Sequence, residues 1–276
     1  MDKENMEGMD WEIMRGHYHA KRVLEVASSG NHSVLLVGPR HSGKAAMARS
    51  LQTILPGHPF IVPAPTEDLG DAIEHARGGV LFLDRLDLWD EPSFAFLRET
   101  IAQQPGQLLL VATAGACPCG NYADEAKKCV CSQEMREAYQ RRLSDPVDAC
   151  FALEVYIPSV NRFASVRPDE PSSIVRERVN AARRSQYQRN GEARLNSALS
   201  LSEVQACCLL DAPAQKLLAA AHKQLALSPE QERFLWQVAR TIADLSRKDT
   251  AVANISAHHL AEAIQYRGVN CKCATG

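Results

Sequence analysis

Short, largely apolar runs divide the first 158 residues: Val34–Val37, Val80–Leu83, the Gln107–Ala112 stretch and Leu153–Ile157, the last broken by Glu154. Runs of four to six such residues, bounded by turn formers, read as strands buried on both faces, as in a parallel sheet. Phe60–Val62 adds a shorter strand. Between these runs the spacing changes to that of helices. Trp11 to Ala27, Ala46–Leu51 and Asp68–Ala76 carry it, as does Glu91–Gln103 with Phe94, Phe96, Leu97 and Ile101 on one face. Alternating strands and helices predict a layered α/β fold. Beyond Ser172 the pattern is helical throughout: Ser172–Asn190, a helix from Ser202, Ala212–Leu225, a helix opened by Ser228-Pro229-Glu230 and running to Leu245, and Ser256–Tyr266. The Ser228 cap, the proline at the first helical position and the first-turn acid are a helix-start signal. The predicted organisation is a disordered leader over 1–9, an α/β domain over 10–158, a proline-bearing linker over 159–171, a helical domain over 172–268 and a tail over 269–276.

The candidate chemistry sits at the ends of the strands. Gly38-Pro-Arg-His-Ser-Gly43-Lys44-Ala45 follows the first strand and opens a helix, the context a phosphate-binding loop requires. Its glycines allow backbone N–H groups to face phosphates, the helix N-terminus adds partial positive charge, and Lys44 reaches the β- and γ-phosphates. The hydroxyl that normally follows the lysine and holds Mg²⁺ is replaced by Ala45. The alternative is a plain glycine-rich turn of an α/β domain. Asp84 ends the Val80–Leu83 strand, where a Walker B carboxylate would stand in the Mg²⁺ shell; the alternative is a core strand that ends in Asp. Arg85 occupies the place of the water-polarising glutamate. The nucleotide-binding set is therefore Gly38, Gly43, Lys44, Ala45 and Asp84.

Cysteine usage and charge refine this picture. Cys117-Pro-Cys119 and Cys129-Val-Cys131 flank a polar, turn-rich segment. Four thiolates joined by a hairpin can form a tetrahedral Zn²⁺ site, although C-x-C is tighter than usual finger spacing. Reduced thiols bracing a loop are the alternative. Cys271-Lys-Cys273 has no second pair nearby. Nine cysteines in a chain with a polar start and no span-length apolar run fit a reducing, cytosolic setting and exclude a membrane span. The formal net charge is −2, so overall charge gives no argument for nucleic acid. Arg176, Arg178, Arg183, Arg184 and Arg189 gather on one predicted helix, either as a solvated face or as a phosphate surface.

With these motifs in place, the chain resembles the AAA+ module of the magnesium-chelatase-like family, ComM/YifB type. The matching stretches are Gly16-His17-Tyr-His-Ala20-Lys21-Arg22, the glycine loop, Gly79–Asp84, Ala116–Gly120 with Cys129-Val-Cys131, Tyr139–Pro146, Arg176–Arg183, Val238–Leu245 and His259–Arg267. The resemblance implies a P-loop AAA+ parallel sheet with a C-terminal helical lid. It also implies ATP or ADP with Mg²⁺ as cofactor and AAA+ subunits, self or homologue, as partners in a ring. DNA remodelling of the branch-migration type is one activity of such relatives and metal insertion into a porphyrin another. Carried over residue by residue, the family's catalytic positions fall on Ala45, Arg85, Gly115 (a sensor asparagine in the family), Cys150 (an interface arginine) and Glu230 (a sensor arginine). Lys44 and Asp84 remain. Only 39 residues separate Lys44 from Asp84, so the family's pore-directed insertion between them is dropped. The expectation is a degenerate ATPase that binds nucleotide weakly and serves as a scaffold or regulatory partner; the alternative is an active ATP-dependent DNA motor. Arg85 is expected to pair with Asp84 or with a phosphate oxygen.

Overall fold

A computed structural model describes residues 9–159, 169–191, 193–246 and 254–267. The expected leader (save residue 9), most of the expected linker, and the tail with Cys271 and Cys273 lie outside the described residues. Five parallel strands form one sheet in the order β2-β3-β4-β1-β5: β1 Val34–Gly38, β2 Phe60–Ile61, β3 Val80–Leu83, β4 Leu109–Gly115 and β5 Leu153–Tyr156. The central pairing runs from Val34 opposite Val111 to Gly38 opposite Gly115. All described strands run the same way, so their carboxyl ends meet at one edge, where ligands of open α/β sheets bind.

The apolar runs are continuous because both faces are covered. Val34, Leu36, Phe82, Val111 and Val155 face one core, built with α1 (Tyr18–Gly30), α2 (Lys44–Arg49), α3 (Leu51–Ile54), α7 (Ser172–Asn190), α10 (Pro229–Leu245) and α11 (Ala257–Gln265). Leu35, Val37, Leu81, Leu83, Leu110 and Ala112 face the other, under α4 (Leu69–His75), α5 (Glu91–Gln103) and α6 (Gln133–Cys150). The helical part, with α8 (Leu201–Ala206) and α9 (Ala212–Leu225), thus shares its core with the sheet through α1, against which α7 and α10 pack.

Two elements differ from the sequence expectation. The first helix starts at Tyr18 rather than near Trp11, because Gly16 and His17 both adopt left-handed backbone (φ 81° and 54°). Trp11 is nonetheless buried, and its indole N–H donates to Ser50 Oγ at 2.8 Å. The long α6, for which the periodicity gave no signal, is mostly polar, and among its described side chains Leu143 and Cys150 are buried.

A buried ionic network fastens α7 to α10. Asp244, on α10, accepts from Arg189 through both carboxylate oxygens (2.8 and 2.9 Å) and from Arg240 Nη2 (2.8 Å). Arg178 bridges Glu25 of α1 and Glu170, each at 2.6 Å. Arg183 donates to the Ser28 carbonyl at 2.8 Å. Three of the five α7 arginines therefore hold helices together, rather than forming the solvated face or phosphate surface that their spacing suggested.

Candidate functional site

The loop between β1 and α2 takes its shape from two glycines. Gly38 lies against the end of β5: a Cβ there would sit 2.2 Å from the Ile157 carbonyl oxygen, so only glycine allows the approach. Gly43 caps α2 with φ 86°, the left-handed region in which glycine is unstrained. Lys44 opens α2 and is only 9% exposed. Its ammonium donates to the Gly38 carbonyl (2.9 Å), the Pro39 carbonyl (2.5 Å) and Ser42 Oγ (3.4 Å), curled back over its own loop. Burial lowers this lysine to about 8, against the opposing pull of Asp84 and Asp87.

Across the cavity, Asp84 leaves the end of β3. Thr113, in the middle of the adjacent β4, donates its hydroxyl to Asp84 Oδ1 at 2.6 Å and accepts from the Arg85 N–H at 2.9 Å. Arg85 is in left-handed backbone (φ 57°), which swings its side chain away from Asp84. The guanidinium pairs instead with Asp87 Oδ2 at 3.0 Å, which corrects the expected Arg85–Asp84 pairing. That ion pair raises Arg85 further above its already high range. Lys44, Ala45, Asp84, Arg85, Thr113 and Gly115 all line one cavity of about 380 Å³, with Arg40 and Asp87 at its sides. Thr113 and Asp87 escaped the sequence reading. Thr113 is one of several buried residues along an apolar strand, and Asp87 lies in a short 3₁₀ turn after the motif; the single hydroxyl within the apolar Leu108–Ala114 run was the available signal for the former.

The other sequence-predicted positions are scattered. Gly115 ends β4 and contributes to the cavity; its carbonyl accepts from the Tyr139 hydroxyl at 3.2 Å. Cys150 is fully buried at the end of α6, where burial pushes its thiol up to about 12. Glu230 is exposed in the first turn of α10, accepts from Ser228 Oγ at 3.3 Å and does not line the cavity.

The hairpin brings Cys117, Cys119, Cys129 and Cys131 together, with all four Sγ atoms within 4.8 Å of one another. Cys117 Sγ lies 3.4 Å from that of Cys119 and 3.7 Å from that of Cys129; Cys119 and Cys129 are also 3.7 Å apart. A tetrahedral Zn²⁺ with Zn–S near 2.3 Å sets its thiolates about 3.8 Å apart. The donor set fits a single soft cation, and every one of these cysteines is free of disulfide. Burial pushes the Cys117 thiol up; at Cys119 burial acts the same way but is outweighed by the Val130 and Asn121 backbone N–H groups, which favour its thiolate.

Among the described residues no helix is long and apolar enough to cross a membrane. Residues 10–60 and 65–164 match the family model of the magnesium chelatase ChlI subunit, and residues 169–267 match that of the ChlI C-terminal region. The chain is 30% identical to the uncharacterised protein YifB of Escherichia coli K12, over 92% of this chain and 60% of that protein. It is 28% identical to the competence protein ComM of Haemophilus influenzae, over 92% of this chain and 59% of ComM. It is also 26% identical to the uncharacterised Rv2897c of Mycobacterium tuberculosis, over 63% of this chain and 45% of that protein. The chain thus spans about 60% of the length of the YifB and ComM proteins it matches. The parallel sheet with its glycine loop, the following helical region and the two adjoining family matches agree, and the chain belongs to the magnesium chelatase ChlI-like family.

Proposed function

We propose that this module binds ATP or ADP with Mg²⁺ in the cavity beneath Gly43 and Lys44, turns nucleotide over negligibly, and acts as a scaffold or regulatory subunit beside other AAA+ subunits in a ring. The observation that carries this reading is at position 85. Hydrolysis calls for a carboxylate there to orient water, and the cavity instead receives the Arg85–Asp87 ion pair. Losing a positioned general base costs about 10²–10⁴-fold, and losing an arginine finger, the role the family gives to position 150, about 10³–10⁵-fold. These losses are not additive, because the groups act as a unit. Binding is less affected: Lys44 and Asp84 both line the cavity, and Mg²⁺ readily keeps a water where Ala45 offers no hydroxyl.

Asp84 would hold Mg²⁺ when it is bound, and the ion would neutralise phosphate charge. The chain's own part is to hold Asp84 through Thr113 and to present Lys44. We further read the four cysteines as a structural Zn²⁺ site, supported by four thiols within 4.8 Å of one another, which would fill all four tetrahedral positions. The free thiols support a cytosolic setting.

The test measures binding and turnover on one sample. Calorimetric titration with ADP-Mg²⁺ should show saturable binding lost in Lys44→Ala, with turnover indistinguishable from background. ATP turnover of about 1 s⁻¹ or faster, abolished by Lys44→Ala, overturns the reading; stimulation of that turnover by DNA would establish a motor instead. No heat and no thermal stabilisation by nucleotide would also overturn it.

A further inference from the structure

We propose that Zn²⁺ in the four-cysteine hairpin sets the shape of the nucleotide loop, so that metal loading gates nucleotide binding. The inference rests on the reading that the cavity takes nucleotide, and deepens it. The hairpin is not a remote ornament. Cys117 stands two residues beyond the end of β4, the strand whose Thr113 holds Asp84. Cys117, Pro118 and Gly120 line the same cavity as Lys44.

The contact that matters is between backbones. The N–H of Arg40, inside the glycine loop, donates to the Gly120 carbonyl at 2.7 Å. Gly120 directly follows Cys119 and holds φ 76°. A Cβ at Gly120 would lie 3.2 Å from that of Arg40, so the two segments are in close contact. The neighbouring Pro39 carbonyl is one of the oxygens that restrain the Lys44 ammonium. The path from metal ligand to phosphate-binding lysine is therefore Cys119, Gly120, Arg40, Pro39, Lys44, with a covalent link or a single hydrogen bond at each step.

The hairpin's ends are anchored, with Ala116, Cys117 and Cys131 buried, Tyr122 packed on the core and Arg136 donating to the Cys131 carbonyl, but its middle is held mainly through the cysteines. Residues 116–132 contain no helix or strand, and most of the side chains from Asp124 to Val130 are exposed. Four thiols within 4.8 Å lose affinity for one another once ionised, and a cation is what reconciles them. Removing it frees Gly120, and with it the Arg40 amide. A single ion fits better than a polynuclear cluster, which would hold its thiolates farther apart.

The experiment starts from full-length protein with about one equivalent of zinc by elemental analysis, as a four-thiolate structural site predicts. Zinc is stripped by a chelator under reducing conditions and then restored. Hydrogen exchange at residues 39–45 should quicken on stripping and recover with Zn²⁺ but not Mg²⁺, while β3 stays protected. ADP-Mg²⁺ affinity should fall about tenfold, within the usual range of coupling between two sites. Unchanged exchange at 39–45, with ADP bound equally well in both states, overturns the coupling and leaves the nucleotide reading standing. Exchange that responds to zinc in protein that binds no ADP in either state upholds the coupling and overturns the nucleotide reading. Should stripping unfold the chain, Gly120→Ala takes its place: it keeps all four thiols but crowds Arg40 and strains the backbone. Loop exchange must then rise with zinc retained; if it does not, the proposal fails.

Discussion

The affinity for nucleotide should depend on pH through Lys44. In the free protein burial lowers this ammonium to about 8, whereas an ordinary lysine titrates near 10.4. Phosphate oxygens beside it would favour the charged form, so the bound state keeps its proton well above pH 8. Binding above pH 8 therefore requires uptake of a proton. The sign follows: affinity is at its plateau below about pH 7, falls by half at pH 8, and weakens tenfold for each further pH unit. Between pH 7 and pH 9 the protonated fraction of the free protein drops from about nine-tenths to about one-tenth, so the dissociation constant should rise about tenfold, or about 1.4 kcal/mol. ADP contributes no competing titration in this window, because a phosphate's second ionisation lies near pH 6. Calorimetric titration with ADP-Mg²⁺ at half-unit steps, in two buffers of different ionisation enthalpy, reads both the affinity and the proton uptake. Lys44→Ala should show no saturable binding at any pH in this range. A wild-type dissociation constant unchanged from pH 7 to 9, with no proton taken up, would refute the reasoning, because Lys44 would then not be the group that meets the phosphates.

Other outcomes follow from the buried polar groups. Asp244→Asn leaves Arg189 and Arg240 buried beside a neutral amide and should cost about 3–5 kcal/mol in urea unfolding. His32 is buried against Thr241, and desolvation holds it down to about 3, so it stays neutral in the fold. Its contribution is present above pH 6.5 and is lost as pH falls from there toward 3; the loss from pH 7 to pH 5 is about 2 kcal/mol, and a stability profile of His32→Gln should lack it. Gly38→Ala drives a methyl group into the Ile157 carbonyl and should destabilise by at least about 1–3 kcal/mol, seen as a lowered urea midpoint.

Much of this fold is written in hydrophobic periodicity. Helices α5, α7, α9 and α10 begin and end where their spacing put them, and Ser228 caps α10 as its position suggests; Asp90 and Asp211 cap α5 and α9 in the same way. Strands β1, β3 and β4 were visible because burial on both faces leaves no polar alternation; β5 is fully buried only at Leu153 and Val155. What stayed hidden has one physical cause: it depends on which partner a polar side chain meets across the sheet. α6 lacks a continuous apolar stripe. The α7 arginines look identical along the chain, yet Arg178 and Arg189 find Glu25 and Asp244 on other helices. Arg85 could not be aimed from sequence, since its left-handed backbone directs it to Asp87.

The resemblance divides the family positions into those this chain would keep and those it would replace. Gly38 is demanded by the Ile157 carbonyl and Gly43 by the helix cap. Asp84 closes a hydrogen-bonded turn with Thr113 and Arg85. Each of these would serve the fold even if no nucleotide ever entered, so their presence alone does not argue for binding. On the alignment that the resemblance implies, positions 45, 85, 115, 150 and 230 would be the replaced ones, and of these Arg85 also serves the turn through its N–H to Thr113. Lys44 is the exception to this division. Its contacts with the Gly38 and Pro39 carbonyls do serve the loop, but burial penalises its charge, and a neutral residue would avoid that cost. A cation kept at a disadvantage in an otherwise well-satisfied loop is what an anionic ligand would relieve. The pH dependence of nucleotide affinity is therefore the measurement that separates a binding site from a loop preserved for its shape.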